Sequence, residues 1–290
     1  MKVILVKPYG YCAGVANAIE LAKKVKKEHP TSNVVVLGML VHNNDALEEL
    51  STHGISSLYK KDKSYLELAK ELKDDDIVIL TAHGHDKKIE DYLNSRGIKF
   101  FDATCPFVKI THQKIEDYLK DNHEVIYIGK ANHPEAIAAL SLSSKIHLYD
   151  INNGLDYSSV VDKSPLVINQ TTFSNREIKH IEDEILSKIK SAKVSNSVCN
   201  ASSLRQEGLL SLPKEVELIY VIGGPLSNNT KTLFNLAKEN FHSAKVINIE
   251  NKNDINKKDL RGLNYVALVS GASTPIYITN EIKDYLESLD

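Results

Sequence analysis

Val125-Ile126-Tyr127-Ile128-Gly129 runs directly into Lys130-Ala131-Asn132-His133-Pro134-Glu135. The continuous apolar run fits a strand covered on both faces, and the glycine ends it. The polar residues beyond have little preference for helix or strand, while Pro134 and Glu135 suit the first turn of a following helix. The same order recurs on either side. Val34-Val35-Val36-Leu37-Gly38 leads to His42-Asn43-Asn44, and Leu218-Ile219-Tyr220-Val221-Ile222-Gly223 leads to Ser227-Asn228-Asn229-Thr230. A second set of apolar strands also ends in polar turns: Ile77-Val78-Ile79-Leu80 in Thr81-Ala82-His83-Gly84, Leu166-Val167-Ile168 in Asn169-Gln170-Thr171-Thr172, and Val266-Ala267-Leu268-Val269 in Ser270-Gly271-Ala272-Ser273.

Three cysteines keep the same beat. Cys12, Cys105 and Cys199 are 93 and 94 residues apart, and the strand-ending glycines follow them by 26, 24 and 24 residues. Short apolar runs precede them, Val3-Ile4-Leu5-Val6, Ile98-Lys99-Phe100-Phe101 and the weaker Ala192-Lys193-Val194, and helix-like patterns follow the first two. Each third therefore reads strand, cysteine, helix, strand, polar turn, helix, strand, polar turn. Apolar strands alternating with helices imply mainly parallel sheets whose functional turns lie beyond the strand carboxyl ends. The expected fold is α/β, with three pseudo-repeated lobes. Their expected extents are 1–103 with Cys12, His42 and His83; 104–197 with Cys105, His133, Glu135 and Thr171; and 198–290 with Cys199, Ser227, Asn229 and Ser273. The segment around Cys12 is an alternative member of the third.

The composition, 42% hydrophobic and 26% charged, suits a globular enzyme. No apolar stretch approaches the ~18 residues of a membrane span, and the run Val3 to Val6 is far too short for a secretory signal. No membrane association and a cytoplasmic location are expected. A net charge of -2, with 36 basic and 38 acidic residues and no basic block, gives no footprint for nucleic acid.

An odd number of widely separated cysteines argues against a disulfide framework. Three unrelated buried thiols, a zinc site and an iron-sulfur centre remain. Lone cysteines do not resemble the paired knuckles of structural zinc, whereas three thiolates suit a four-iron cubane with one iron open to substrate. The polar turns supply His42, His83, His133, Thr171, Thr172, Ser227, Asn229 and Ser273. Donors at strand ends and helix amino termini suit a phosphate or diphosphate, and imidazoles can add positive charge beside an anion. Glu135 is the one carboxylate in this set. It can complement a helix dipole, and it can also supply protons.

These residues resemble a known family, the 4-hydroxy-3-methylbut-2-enyl diphosphate reductases of the non-mevalonate isoprenoid pathway. The resemblance runs through Gly10-Tyr11-Cys12-Ala13-Gly14-Val15, Val41-His42-Asn43, Ala82-His83-Gly84, Asp102-Ala103-Thr104-Cys105-Pro106, His133-Pro134-Glu135, Gln170-Thr171-Thr172, Val198-Cys199-Asn200-Ala201, Arg205-Gln206, Ser227 with Asn229-Thr230, and Gly271-Ala272-Ser273. It implies three α/β lobes around a central [4Fe-4S] cluster, with Cys12, Cys105 and Cys199 as ligands. It implies that His42, His83, His133, Ser227, Asn228, Asn229 and Ser273 hold the substrate diphosphate. Glu135 and Thr171 resemble the family's proton-relay pair, with His133 beside them in a catalytic position. The implied reaction removes the substrate hydroxyl with two electrons, giving isopentenyl and dimethylallyl diphosphate, with a ferredoxin or flavodoxin as donor. Asn228 stands where a second serine is usual, Ser202 where threonine is usual, and Pro225-Leu226 replace a more polar lead. Both polar replacements keep hydrogen-bonding capacity, so tuning of the third lobe is expected. The alternative is redox-neutral lyase chemistry of the quinolinate synthase type. A non-enzymatic iron or redox sensor would have no need of so many polar turns.

Overall fold

The structure is a computed structural model that describes residues 1–289. Twelve strands form three four-stranded sheets, and every strand pair within them is parallel. The first sheet has the order β3 (Ile55–Leu58), β2 (Val34–Leu37), β4 (Ile77–Leu80), β5 (Lys99–Asp102). The second has β7 (Ile146–Asp150), β6 (Val125–Gly129), β8 (Leu166–Asn169), β9 (Lys193–Ser195). The third has β11 (Lys245–Ile249), β10 (Leu218–Ile222), β12 (Tyr265–Ser270), β1 (Lys2–Leu5). The order is the same in all three. In each sheet the strand leading to a cysteine occupies the edge, and β1, the first strand of the chain, pairs with β12 in the register Lys2 to Tyr265.

The sequence pattern accounts for the two central strands of each sheet. Val34, Val36, Ile79, Ile126, Ile128, Tyr220 and Leu268 are wholly inaccessible to solvent, as strands covered on both faces should be. The outer strands β3, β7 and β11 have no counterpart in the sequence reading. Ile55-Ser56-Ser57-Leu58 shows why: at a sheet edge its serines face water, so the apolar run that marks a buried strand is broken.

The chain divides into two compact units. One comprises Met1–Ala16, Val41–Glu49 and the chain from Cys199 onward, and contains the third sheet. Ile219 and Val221 of β10 pack with Leu209 of α8 (Asn200–Leu210) and Leu233 of α9 (Asn228–Asn240). Leu218, Tyr220 and Ile222, one residue out of phase, pack with Ile278 and Ile282 of α10 (Ile276–Glu287). This is the period-two alternation of a sheet sandwiched by helices.

The other unit comprises Asn17–Leu40 and Leu50–Val198 and contains the first two sheets. Leu37, Val78 and Leu80 pack with Leu68 of α3 (Tyr65–Ala69) and Leu93 of α4 (Lys87–Ser95). Tyr127 and Ile168 pack with Ile115 of α5 (Pro106–Lys120) and Ala136 of α6 (Pro134–Ser141). On the opposite face Ile126 and Ile128 meet Ile178 and Ile185 of α7 (Asn175–Lys188). The remaining helices are α1 (Ala13–Glu28) and α2 (Asn44–Thr52). No helix among the described residues is long and apolar enough to cross a membrane.

Gly208 of α8 shows how closely a helix approaches the strand edge. A Cβ built on it would lie 2.5 Å from the Lys7 carbonyl oxygen and 2.8 Å from a Val6 methyl. Gly208→Ala should therefore force backbone apart rather than rearrange a side chain. A loss of about 1–3 kcal/mol is expected in denaturant unfolding, and unchanged stability would show that α8 has slack against the β1 exit.

Candidate functional site

Every turn singled out in the sequence joins a strand to a helix amino terminus. The nine turns carry Cys12, His42, His83, Cys105, His133, Thr171, Cys199, Ser227 and Ser273, and they open α1, α2, α4, α5, α6, α7, α8, α9 and α10. Helix amino termini present unpaired N–H donors and the positive end of the helix dipole, so each turn favours negative charge.

In the unit built on the third sheet, hydrogen bonds knit several turns together. The Cys12 N–H donates to the Ala272 carbonyl (2.9 Å), and the Gly10 N–H donates to the Ser270 hydroxyl (3.1 Å). The Ala272 N–H donates in turn to Asn229 Oδ1 (2.8 Å), whose Nδ2 donates to the Ser202 hydroxyl (3.1 Å). The Cys199 thiol also donates to Ser202 (3.3 Å). Ser202 therefore links a cysteine turn to the Ser227-Asn228-Asn229 turn, a connection the sequence did not disclose. Ser227 caps α9, its hydroxyl accepting from the Thr230 N–H (3.3 Å), and Asn228 and Asn229 are buried with it. Gly224 lets the His42 turn come close: a Cβ there would stand 2.7 Å from the His42 carbonyl oxygen. The Ser273 hydroxyl faces the same carbonyl at 3.5 Å.

Burial governs the His42 imidazole. Burial, with the Lys231 ammonium acting in the same direction, pulls its imidazole down to about 4, so it is neutral near pH 7. An anion beside it would oppose both causes.

In the other unit, His83 and His133 meet edge to face with ring centroids 5.5 Å apart. His133 caps α6: its Nδ1 accepts the Glu135 N–H at 3.2 Å. With Nδ1 accepting, Nε2 is the donor nitrogen of the ring. Glu135, only 1% exposed, accepts twice from Thr171, the N–H at 2.8 Å on Oε1 and the hydroxyl at 3.2 Å on Oε2. Gln170 accepts from the Lys130 N–H (3.3 Å) and donates to the Thr172 hydroxyl (3.1 Å), holding the two turns side by side. Cys105 is positioned from both sides. Its N–H donates to the Ala82 carbonyl (3.0 Å) beside His83, and Asp102 receives the Thr104 N–H (2.8 Å), the Thr104 hydroxyl and the Lys109 ammonium (2.6 Å).

Burial raises the Glu135 carboxyl to about 7, against the Thr171 N–H, the Thr171 hydroxyl and Tyr127, all of which favour the ionised form. Tyr127 is a further residue the sequence reading placed only in a strand. Its phenol lies beside Glu135, wholly buried, without a well-aligned hydrogen bond of its own. A carboxyl poised near neutrality can both give and take a proton, and Thr171 can accept from the acid or donate to the carboxylate.

A model of the LytB protein family matches residues 3–287. This chain belongs to the LytB family. LytB relatives called 4-hydroxy-3-methylbut-2-enyl diphosphate reductase include that of Malacoplasma penetrans, 36% identical over 99% of this chain and 97% of that protein. The Brevibacillus brevis reductase of the same name is 34% identical over 100% of this chain and 93% of that protein. A solved (E)-4-hydroxy-3-methyl-but-2-enyl diphosphate reductase, described as the terminal enzyme of the non-mevalonate pathway, superposes with a TM-score of 0.69 at 29% identity, over 99% of this chain and 100% of that one. The E-1-hydroxy-2-methyl-but-2-enyl-4-diphosphate reductase of Plasmodium falciparum shares the fold, with a TM-score of 0.86 at 24% identity over 98% of this chain and 87% of that one. The LytB chain is thus an α/β enzyme of the oxidoreductase class.

The raised Glu135 carboxyl makes folding stability depend on pH. A carboxyl whose folded value exceeds its unfolded 4.5 contributes stability that is fully present below about 4.5 and is lost as pH rises through about 7. Wild type should therefore lose about 2–3 kcal/mol relative to Glu135→Gln between roughly pH 5 and pH 8. Parallel urea titrations of the two proteins across that range measure it, and curves that never diverge would show that Glu135 titrates normally.

Proposed function

We propose that this chain is a 4-hydroxy-3-methylbut-2-enyl diphosphate reductase that forms isopentenyl and dimethylallyl diphosphate in the cytoplasm. The observation that carries the reading is the Glu135 carboxyl, buried, held by Thr171 and raised to about 7, in a chain of the LytB family. Removing an allylic hydroxyl as water with two electrons consumes two protons, so the reaction needs an acid that is protonated near neutral pH and shielded from solvent.

Cys12, Cys105 and Cys199 are the residues that would hold a [4Fe-4S] cluster. Their chemistry fits it: no disulfide engages them, and each stands at a helix amino terminus, where the dipole stabilises a thiolate. The Cys12 sulfur also accepts the Val15 N–H at 3.5 Å. When bound, the cluster supplies electrons and an open iron as a Lewis acid for the substrate oxygen.

The protein's own groups do the rest. His42, His83, His133, Ser227, Asn228, Asn229 and Ser273 would bind the diphosphate with their side chains and helix amino termini. With Nδ1 accepting the Glu135 N–H, Nε2 is the donor nitrogen of the His133 ring. Glu135 would release its proton through Thr171 toward the departing hydroxyl or the allylic carbon and be recharged afterwards. Seven anchoring residues would hold a small substrate in one orientation, and proximity of this kind supplies a large part of the rate. A ferredoxin or flavodoxin would deliver the electrons.

Anaerobic oxidation of reduced methyl viologen by cluster-reconstituted protein, begun by adding the substrate, tests the activity. Substrate-dependent oxidation with five-carbon diphosphate products is expected; turnover without the electron donor would favour the redox-neutral lyase reading. In the same assay Glu135→Gln should keep its cluster and lose roughly 10²- to 10⁴-fold in turnover. Wild-type turnover in that variant would remove Glu135 as the proton donor. Cys105→Ser should lose the intact cubane, as seen by iron content and electron paramagnetic resonance.

A further inference from the structure

We propose that Arg205 is a positioning residue that clips the Cys12 and Cys199 turns together and whose fixed charge raises the reduction potential of the metal centre those thiols hold. The inference rests on the iron-sulfur reading given above.

Arg205 lies on α8 and is 2% exposed. Its Nη2 donates to the Gly10 carbonyl at 2.6 Å, on the turn that carries Cys12. Its Nη1 donates to the Ala201 carbonyl at 3.0 Å, in the first turn of α8 two residues after Cys199. One planar fork thus ties the distant Cys12 turn to the start of the helix that Cys199 opens, a geometry that lysine's point charge cannot reproduce. The Nε hydrogen is buried and has no acceptor among the described residues. Among the described residues no carboxylate pairs with the guanidinium either.

A buried guanidinium without a carboxylate is costly, and proteins keep such charges where an anion compensates them. Burial disfavours the guanidinium charge, and the sulfurs of Cys12 and Cys199 act in the opposite direction. Arginine stays protonated throughout the working pH range, so its contribution is a fixed positive charge beside the sulfur ligands. Adding an electron to a thiolate-held centre deepens its negative charge. A nearby cation of low solvent access favours that reduced form, and charge is among the levers that set iron-sulfur potentials. Ser202, which accepts from the Cys199 thiol and from Asn229 Nδ2 (3.3 and 3.1 Å), holds the other side of the same turn.

Wild type, Arg205→Lys and Arg205→Gln would be reconstituted anaerobically. Iron content, cluster potential by titration monitored with electron paramagnetic resonance, and the melting temperature of the cluster-free proteins would then be compared. The Gln variant should be harder to reduce by roughly tenfold in equilibrium constant or more, ~59 mV per tenfold for one electron. The Lys variant should recover most of that potential while melting lower than wild type. Equal potentials in all three proteins overturn the inference. So does a common potential shift in Lys and Gln, which would mark the carbonyl bonds alone as important. If Arg205→Gln holds no cluster, Arg205→Lys decides: a cluster of near wild-type potential supports the role of charge, and loss of the cluster there too overturns it. A wild-type protein that takes up no iron defeats the cluster reading itself and the inference with it, whereas a wild-type cluster with unmoved variant potentials defeats the inference alone.

Discussion

The structure depends on one recurring junction, a parallel strand that stops and hands its chain to a helix amino terminus. Parallel strands place all such junctions at the same edge of a sheet, and each leaves several N–H groups without an intrahelical acceptor. Those donors need something to face. Some are answered locally, by Ser227 on the Thr230 N–H and by His133 on the Glu135 N–H. The rest of the positive field favours negative charge at these edges. Nine turns at nine such junctions are therefore the consequence of the topology.

Glu135 shows how that field and burial oppose each other. Two bonds from Thr171 favour its ionised form, yet exclusion from water wins and leaves the carboxyl near neutrality. His42 is displaced in the opposite direction by the same cause, because burial penalises whichever form is charged. One unit thus holds a carboxyl that gives up its proton only near pH 7, and the other an imidazole that takes one up only near pH 4.

The central strands, the turns and their order were legible because a strand covered on both faces writes itself as an unbroken apolar run. Val34–Leu37 and Leu218–Ile222 are of that kind. The outer strands β3, β7 and β11 were not legible, since residues such as Ser56 and Ser57 answer to solvent rather than to a core. Helix α8 was expected from the repeat and not from a pattern of its own. Its inward face carries Ser202, Arg205 and Gln206 beside Leu209, so it lacks an apolar stripe. The contacts that link turns, Ser202 to Asn229 and Arg205 to Gly10, join residues 27 and 195 positions apart, and no local pattern encodes such partners. Tyr127 was hidden by its own suitability for a strand: only the fold turns its phenol toward Glu135.

The pairing of β1 with β12 has a consequence for how the protein comes into being. Lys2 finds Tyr265 across 263 residues of chain, so β1 has no partner until β12 has been made. Contacts of such separation close slowly, and an unpaired strand edge invites association while it waits. The Cys12 turn, anchored through Ala272, is fixed only at that late stage. The order of synthesis thus leaves Cys12 unanchored until β12 and the Ala272 turn have been made.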